Sequence, residues 1–305
     1  MNQSLKTLDF SVSQHHVGLI YAFIGCLLFS LKPILVKLAY LAGGDATSIM
    51  ALRALSSLPL YLVTLVYLCR KASNRSKARQ SGIAAAGVGV LGYYLASYLD
   101  ISALAFISAQ LERLLIFLFP SFVVLISWVV FKQAPSKNVI LATFVGYIGT
   151  ALILVHDFQT LGHSVALGAL LAVASAFVFA IYLVASKPLI HRLGSSMFTS
   201  IGMGSAGLAI ITHLLLSGVQ ISEWSYELIT IGVILGIVCT VLPSYFVAAG
   251  MARLTPTQLS LTNNAGPAIT AAFAVLLLGE MFTIWHAIGM ILVIFSVVII
   301  NRSKN

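Results

Sequence analysis

Long apolar runs recur from one end of the chain to the other, separated by short polar breaks. Most runs are close to the length that a helix needs to cross the hydrocarbon core of a bilayer, about 20 residues. We place ten of them at 18–40, 47–69, 82–100, 108–131, 138–155, 165–187, 197–217, 226–249, 256–279 and 283–301. This pattern predicts an all-α integral membrane protein with ten transmembrane helices, because helices satisfy their own backbone groups in lipid.

Composition agrees with this fold class. Of the 305 residues, 60% are hydrophobic and 8% are charged, whereas a soluble domain carries roughly a quarter charged residues. The three cysteines, Cys26, Cys69 and Cys239, have no spacing typical of a metal site or a disulfide framework. We therefore predict no cofactor and no metal. Residues 1–17 are predicted to form a polar tail. No signal-peptide cleavage site follows it, so the first helix is expected to remain part of the protein.

The net charge of +9 is explained by where the basic residues lie. The breaks after the second, fourth, sixth and eighth runs contain Lys and Arg, as do both termini, whereas the other five breaks contain only acidic charges. Since cytoplasmic loops of membrane proteins are enriched in Lys and Arg, both termini are predicted to be cytoplasmic. No nucleic-acid partner is needed to account for the charge.

The chain contains an internal repeat. Residues 94–133 align with 241–280, which pairs Pro120 with Pro267 and Tyr98 with Tyr245. Five predicted helices are followed by five more, and an odd number makes the second set enter the membrane from the opposite side. We predict a five-helix repeat at 18–155 and an inverted copy at 165–301, an architecture that many secondary transporters use around a midplane site.

Three segments carry a resemblance to a known family. "PAITAAFAVLLLGE", "HAIGMILVIFSVVII" and "GALLAVASAFVFAIYLVASK" resemble helices nine, ten and six of the EamA family of the drug/metabolite transporter superfamily. The resemblance implies two five-helix repeats and the export or exchange of small organic metabolites. Arg53 lies where the family often has an arginine. The Gly-Glu that ends helix nine is replaced in the first half by Lys132-Gln133, so Glu280 is expected to be interfacial.

Charged side chains within the predicted helices are costly in lipid and therefore mark candidate functional positions. At a rise of about 1.5 Å per residue, six of them fall in the outer half of the first repeat: Lys32, Lys37, Arg53, Asp100, Glu112 and Arg113. The equivalents of four of them in the second repeat are neutral: Tyr182, Met203, Leu259 and Ser260. A cluster present in only one half favours function over packing. Its surplus of cations favours a substrate with a carboxylate or phosphate.

Two of these residues have alternative interpretations. Arg113 either forms an ion pair with Asp100 or contacts the substrate. Glu112 either pairs with Lys32 or Arg53, or takes up the proton of a proton-coupled cycle.

Neutral polar residues extend the candidate site. Asn263 and Asn264 lie near the middle of the ninth run, just before Gly266-Pro267, and several tyrosines offer hydroxyl groups within the spans. The predicted substrate-binding residues are Lys32, Arg53, Glu112, Arg113, Tyr94, Tyr182, Asn263 and Asn264. Tyr98 and Tyr245 are either a pair of gates or tyrosines of the interfacial belt.

The function predicted from the sequence is a secondary transporter in the inner (plasma) membrane, with no catalytic residues. It would export a small organic metabolite, an amino acid or an organic anion, by alternating access, with proton coupling as an option. The alternatives are uptake of such a solute and efflux of cationic drugs. An integral-membrane enzyme acting on lipid-linked substrates is disfavoured because the loops are short. The expected partners are the substrate and the bilayer, in a monomer or homodimer.

Overall fold

A computed structural model of the chain describes residues 2–132, 134–251, 253–254, 262 and 265–302. Side chains are described between residues 16 and 299 of these ranges, except at 160, 161, 248 and 251. Within these ranges the secondary structure is helical and contains no strand, as the sequence predicts.

The described helices follow one another with short connections. They are α1 (Asn2–Ser30), α2 (Lys32–Leu41), α3 (Ala46–Leu68), α4 (Ala72–Gly89), α5 (Ala96–Ala103), α6 (Ala109–Ile116), α7 (Phe119–Phe131), α8 (Lys137–Leu161), α9 (Ser164–Leu193), α10 (Ser195–Ser217), α11 (Tyr226–Gly236), α12 (Leu242–Met251), α13 (Gly266–Leu278) and α14 (Ile284–Arg302). A π-helical segment, Val90–Leu95, joins α4 to α5, and a second, Ile237–Val241, joins α11 to α12. A 3₁₀ turn at Ile221–Glu223 precedes α11.

Eight of the ten predicted spans correspond to helices, or runs of consecutive helices, that are long and apolar enough to cross a membrane. The predicted ninth and tenth spans correspond to shorter apolar helices at Gly266–Leu278 and Ile284–Ile299. Most of the first half of the ninth run lies outside the described residues. Many large apolar side chains are exposed, including Ile83 at 90% and Leu216 at 81%. Such a surface suits contact with lipid tails and would be unusual for a soluble protein.

The beginning of the chain, predicted to be a polar tail, has a helical backbone. The backbone is helical from Asn2 and continues without interruption into the first span, ending at Ser30. The sequence from 2 to 17 contains neither glycine nor proline, and these are the two residues that most strongly disfavour helix propagation. A polar composition therefore did not prevent helix formation there.

Two predicted spans are interrupted at a proline. The first breaks at Leu31, before Pro33 in α2, and the carbonyl of Ser30 there accepts a hydrogen bond from Thr270 Oγ1 at 3.0 Å. The fourth breaks between α6 and α7, before Pro120. Proline lacks a backbone N–H and therefore favours such breaks, although Pro59 and Pro188 lie within α3 and α9, which continue past them.

Irregular backbone features recur in the two halves of the chain with one spacing. The π-helical segments begin at Val90 and Ile237, which are 237 − 90 = 147 residues apart. Helices α7 and α13 begin at Phe119 and Gly266, again 147 apart. Lys132 and Gly279, which follow these two helices in left-handed conformations with φ of 58° and 66°, have the same separation. This is the spacing of the repeat found in the sequence.

Candidate functional site

An ion pair between two neighbouring helices lies at the centre of the candidate site. Lys32 Nζ, at the start of α2, pairs with Asp100 Oδ2 on α5. The Asp100 side chain is 4% exposed and that of Lys32 is 22% exposed. An ion pair between Asp100 and Arg113 was one of the alternatives that the sequence left open, but in the structure Asp100 pairs with Lys32. The reason is the break before Pro33, which turns Lys32 into the first residue of a new helix beside α5.

Glu112 and Arg113 lie on α6, whose first turn is capped by the Ser108 hydroxyl accepting a hydrogen bond from the Leu111 N–H at 3.0 Å. The two side chains reach different neighbours. Glu112 is 3% exposed and lies beside the Asp100 carboxyl group. The Arg113 guanidinium stacks over the Phe117 ring, 5.3 Å from its centroid.

Arg113 also approaches the backbone of α13. A Cβ atom built on Gly266 would lie only 2.8 Å from Arg113 Nη2. Glycine at this position therefore leaves room for the guanidinium at the start of the helix.

Several buried polar atoms in this cluster lack a hydrogen-bond partner among the described residues. They are Asp100 Oδ1, Glu112 Oε2 and Arg113 Nε. Buried polar groups in native proteins are nearly always satisfied. The Asp100 and Glu112 carboxyl groups adjoin each other and can form a hydrogen bond when they share one proton. The cluster therefore offers this proton-binding pair, together with one guanidinium nitrogen, to a ligand or a water molecule.

A cavity of about 20 Å³, with room for about one water molecule, lies beside this cluster and is lined in part by Arg53. Its lining comes from α3, α10 and both π-helical segments and consists of Arg53, Ala54, Ser57, Tyr93, Met203, Ala206, Gly207, Ile210 and Thr240. Arg53 is 9% exposed. Within the described part of the chain, no carboxylate lies within 4.0 Å of it, although Asp100 is close enough to act on it electrostatically. A buried cation without an ion pair is suited to bind an anion.

The lining of this cavity is related by the sequence repeat. Arg53 corresponds to Met203 and Ser57 to Gly207, each 150 residues apart, and Tyr93 corresponds to Thr240 at 147. Both members of each pair line the cavity. The cavity therefore lies where the two halves meet, and Arg53 is its one charged lining residue among those described.

The tyrosines predicted to bind substrate have protein partners. The Tyr94 hydroxyl is 3.0 Å from His213 Nδ1. The Tyr182 hydroxyl is 2.8 Å from that of Tyr93. Tyr182 is 5% exposed and lies in an apolar cluster, stacked on Phe179 at 5.6 Å between ring centroids. The Tyr93–Tyr182 pair adjoins the Arg53 cavity, because Tyr93 is one of the lining residues.

The two proposed gates lie in different environments. The Tyr98 ring packs edge-on against His213 at 5.1 Å. Tyr245 is 45% exposed, and its hydroxyl is 2.9 Å from that of Thr64. Asn263 and Asn264, also predicted to bind substrate, lie outside the described residues.

Glu280 and a histidine–aspartate cluster were not part of the predicted site. Glu280 accepts hydrogen bonds from the first two N–H groups of α6, at Ala109 (2.7 Å) and Gln110 (3.3 Å). This is a capping role, which stabilises the helix that carries Glu112. Nearby, Asp157 lies between two histidine rings. Glu280 is more than 100 positions from Ala109, as His286 is from Asp157, so the sequence contains no local signal for either arrangement.

Comparisons with known proteins give one consistent family. The model of the EamA-like transporter family matches residues 16–155 and again 166–302. The chain is 28% identical over 278 residues to the uncharacterized transporter YcbK of Bacillus subtilis (strain 168), covering 89% of this chain and 88% of that protein. It is 27% identical over 220 residues to the uncharacterized transporter sll1319 of Synechocystis sp., covering 72% and 67%.

Solved structures are similar in fold to this chain. One of them is the crystal structure of a protein with 20% sequence identity and a TM-score of 0.59, and the match covers 92% of this chain and 95% of that chain.

Proposed function

Because the chain belongs to the EamA-like transporter family, and so is a multi-pass membrane transporter, we propose that it exports a small organic metabolite by alternating access. The substrate is an amino acid or a related organic anion, and the membrane is the plasma membrane. The observation that carries the substrate class is Arg53, a buried guanidinium that lines a cavity and has no carboxylate within 4.0 Å among the described residues.

The proposed arrangement is ten spans in two inverted five-helix repeats, with both termini in the cytoplasm. It is supported by the 147-residue spacing of the π-helical segments and by the double match of the family model. The placement of Lys and Arg in alternate breaks supports the orientation. In such carriers the substrate site lies at the interface between the repeats. The Arg53 cavity is lined from both halves of the chain, and its volume of about 20 Å³ must increase before an amino acid fits.

The chemistry around Arg53 favours a carboxylate. A guanidinium presents several N–H donors in a plane that matches the two oxygens of a carboxylate. The cavity adds the hydroxyl-bearing residues Ser57, Tyr93 and Thr240. Leaving Arg53 charged and unpaired in a low-dielectric setting is costly, and a bound carboxylate removes that cost.

The adjoining cluster, which contains Asp100 and Glu112, can bind a second substrate group that is positively charged. The Asp100 and Glu112 carboxyl groups are buried and lie side by side, and neither Asp100 Oδ1 nor Glu112 Oε2 accepts a hydrogen bond from an N–H or hydroxyl group of the described residues. An α-ammonium group supplies N–H donors for acceptors of this kind. A zwitterionic amino acid would place its carboxylate at Arg53 and its ammonium near these carboxyl groups. The same two oxygens favour the main alternative, a transporter of organic cations, and Glu112 is also the candidate for proton coupling.

Thermal unfolding of the detergent-solubilised protein tests the substrate class with matched ligands. Each set contains an amino acid, the amine that lacks its carboxylate and the acid that lacks its ammonium. A ligand specific to the folded state stabilises it by about 2.7 kcal/mol at 100 times its Kd. We expect the amino acid of at least one set to raise the melting temperature most, the acid to raise it less, and the amine to have no effect.

Variants separate the two ends of the site. Arg53→Gln is expected to abolish the response to amino acid and acid, whereas Glu112→Gln should reduce the response to the amino acid alone. Arg70→Gln, at an exposed position, is the matched control and should respond as the wild type does. Stabilisation by amines and not by acids would contradict the proposal and make the protein an exporter of organic cations.

A further inference from the structure

A second group of ionisable side chains lies apart from the Arg53 cavity, near one end of α8. His156 and Asp157 are in the last turns of that helix, and His286 is in the first turn of α14. One ligand atom from each residue can be chosen so that all three atoms lie within 4.8 Å of one another. We infer that these three side chains form a binding site for a divalent transition-metal ion of the Zn²⁺ class.

The distances suit such an ion. His156 Nδ1 lies 3.4 Å and His286 Nε2 lies 3.5 Å from the same oxygen, Asp157 Oδ1. Ligand atoms about 2.0–2.2 Å from a tetrahedral zinc are separated by roughly 3.4 Å. Two imidazole nitrogens and one carboxylate oxygen are a donor set that Zn²⁺ accepts, with a fourth position left for water.

The groups behind the ligands are arranged to support them. The Ser108 hydroxyl donates a hydrogen bond to Asp157 Oδ2 at 2.6 Å, which leaves Oδ1 directed at the histidines. Thr283 Oγ1 is 2.9 Å from His286 Nδ1. Ligating histidines in proteins use the other ring nitrogen to donate to a fixed acceptor, and Thr283 provides one.

Metal binding requires one proton to change its position. His286 Nδ1 accepts a hydrogen bond from the Thr283 backbone N–H at 3.3 Å, a geometry that goes with a ring proton on Nε2, on the side of Asp157. An ion bound at Nε2 requires this proton to move to Nδ1. There it can be donated to Thr283 Oγ1, and the long bond from the Thr283 N–H is lost.

The electrostatic surroundings leave the site net negative. Asp157 and Glu280 are both close enough to Lys37 to interact with it electrostatically, so two carboxylates face one ammonium group.

Helices α8 and α14, which carry the three ligands, are also packed closely together near the site. A Cβ on Gly149 of α8 would lie 2.6 Å from the Gly289 carbonyl oxygen of α14. This close approach fixes the ligands from the two helices relative to each other.

Direct metal binding tests the inference. The full-length protein is purified through a tag without histidine and stripped with a chelator. It is then titrated with Co²⁺, whose visible absorption reports nitrogen ligation, and with Zn²⁺ as the competitor. We expect one site per chain. His286→Gln and His156→Gln should each weaken Zn²⁺ binding by at least about tenfold, since loss of an outer partner alone costs that much.

Control variants decide between this site and the other histidines. His163→Gln, near the same end of α8, and the double variant His15→Gln/His16→Gln should bind Zn²⁺ as the wild type does. The increase in melting temperature caused by Zn²⁺ is compared, not the absolute value, because His286→Gln also loses a contact with Asp157. An absence of Zn²⁺ binding, or binding that is lost only in the His15/His16 variant, would overturn the inference. If His286→Gln does not fold, His156→Gln decides it.

Discussion

At the scale of single residues, the charges within the bundle differ in how they are neutralised. Lys32 and Asp100 neutralise each other, while Arg53 has no carboxylate within 4.0 Å among the described residues. A paired charge can serve structure alone, because the energy of desolvation is offset within the protein. A charge without an ion pair, such as Arg53, gains this compensation when a ligand of opposite charge binds. For this reason the proposed substrate class is based on Arg53.

The Lys32–Asp100 pair should therefore matter for stability. Asp100→Asn removes the paired carboxylate of the Lys32 ammonium and leaves only the adjoining Glu112 carboxyl group near it. Breaking a fully buried pair costs about 3–5 kcal/mol, which is the upper bound here because the Lys32 side chain is 22% exposed. We expect a clearly lower melting temperature, with partial recovery in the double variant Lys32→Met/Asp100→Asn. Glu227→Gln, at an exposed position, should change it little. A double variant less stable than Asp100→Asn would show that the two residues do not act as a pair.

The identity of the buried charges could be predicted from the sequence, but their pairing could not. Depth along a helix follows from residue number, whereas the neighbour that a side chain faces depends on helix rotation and on breaks. Lys32 reached Asp100 because the chain is interrupted at Leu31. The cluster around Asp157 was missed for the same reason, since His286 approaches it only through the packing of α8 against α14.

At the scale of helices, the site depends on where regular backbone is interrupted. Proline removes a backbone donor and so marks Pro33 and Pro120 as candidate breaks, but it does not distinguish them from Pro59 and Pro188, where the helix continues. The π-helical segments at Val90–Leu95 and Ile237–Val241 could not be predicted, since a widened turn has no residue signature of comparable strength. Such segments occur frequently at functional sites, and here both contribute to the lining of the Arg53 cavity.

The contact between α4 and α10 beside the first π-helical segment should tolerate no side chain. A Cβ on Gly89 would lie 2.2 Å from Gly202 Cα, and backbone cannot move aside as a side chain can. Gly89→Ala is expected to lower the melting temperature, at a cost of about 1–3 kcal/mol for overpacking. Gly87→Ala, where nothing lies within 4 Å, should be neutral or stabilising by up to about 1 kcal/mol. Equal melting temperatures for the two variants would contradict this close packing.

At the scale of the whole molecule, the sequence is sufficient to predict the fold class and the protein family. The repeated apolar runs predicted a helical membrane protein, and three segments indicated the EamA family, which the family model confirms over both halves. The count of ten spans and the orientation of the termini remain predictions. They depend on the ninth run and on the charge pattern, and much of the ninth run lies outside the described residues.

Transport by the purified protein in liposomes tests the central claim most directly. Vesicles are loaded with the amino acid that gives the largest thermal stabilisation, and the uptake of the same labelled compound by exchange is measured. The account predicts rapid exchange by the wild type and by Arg70→Gln, the control at an exposed position, and loss of exchange in Arg53→Gln. Exchange by Arg53→Gln at the wild-type rate would show that this arginine does not bind the substrate and would contradict the account.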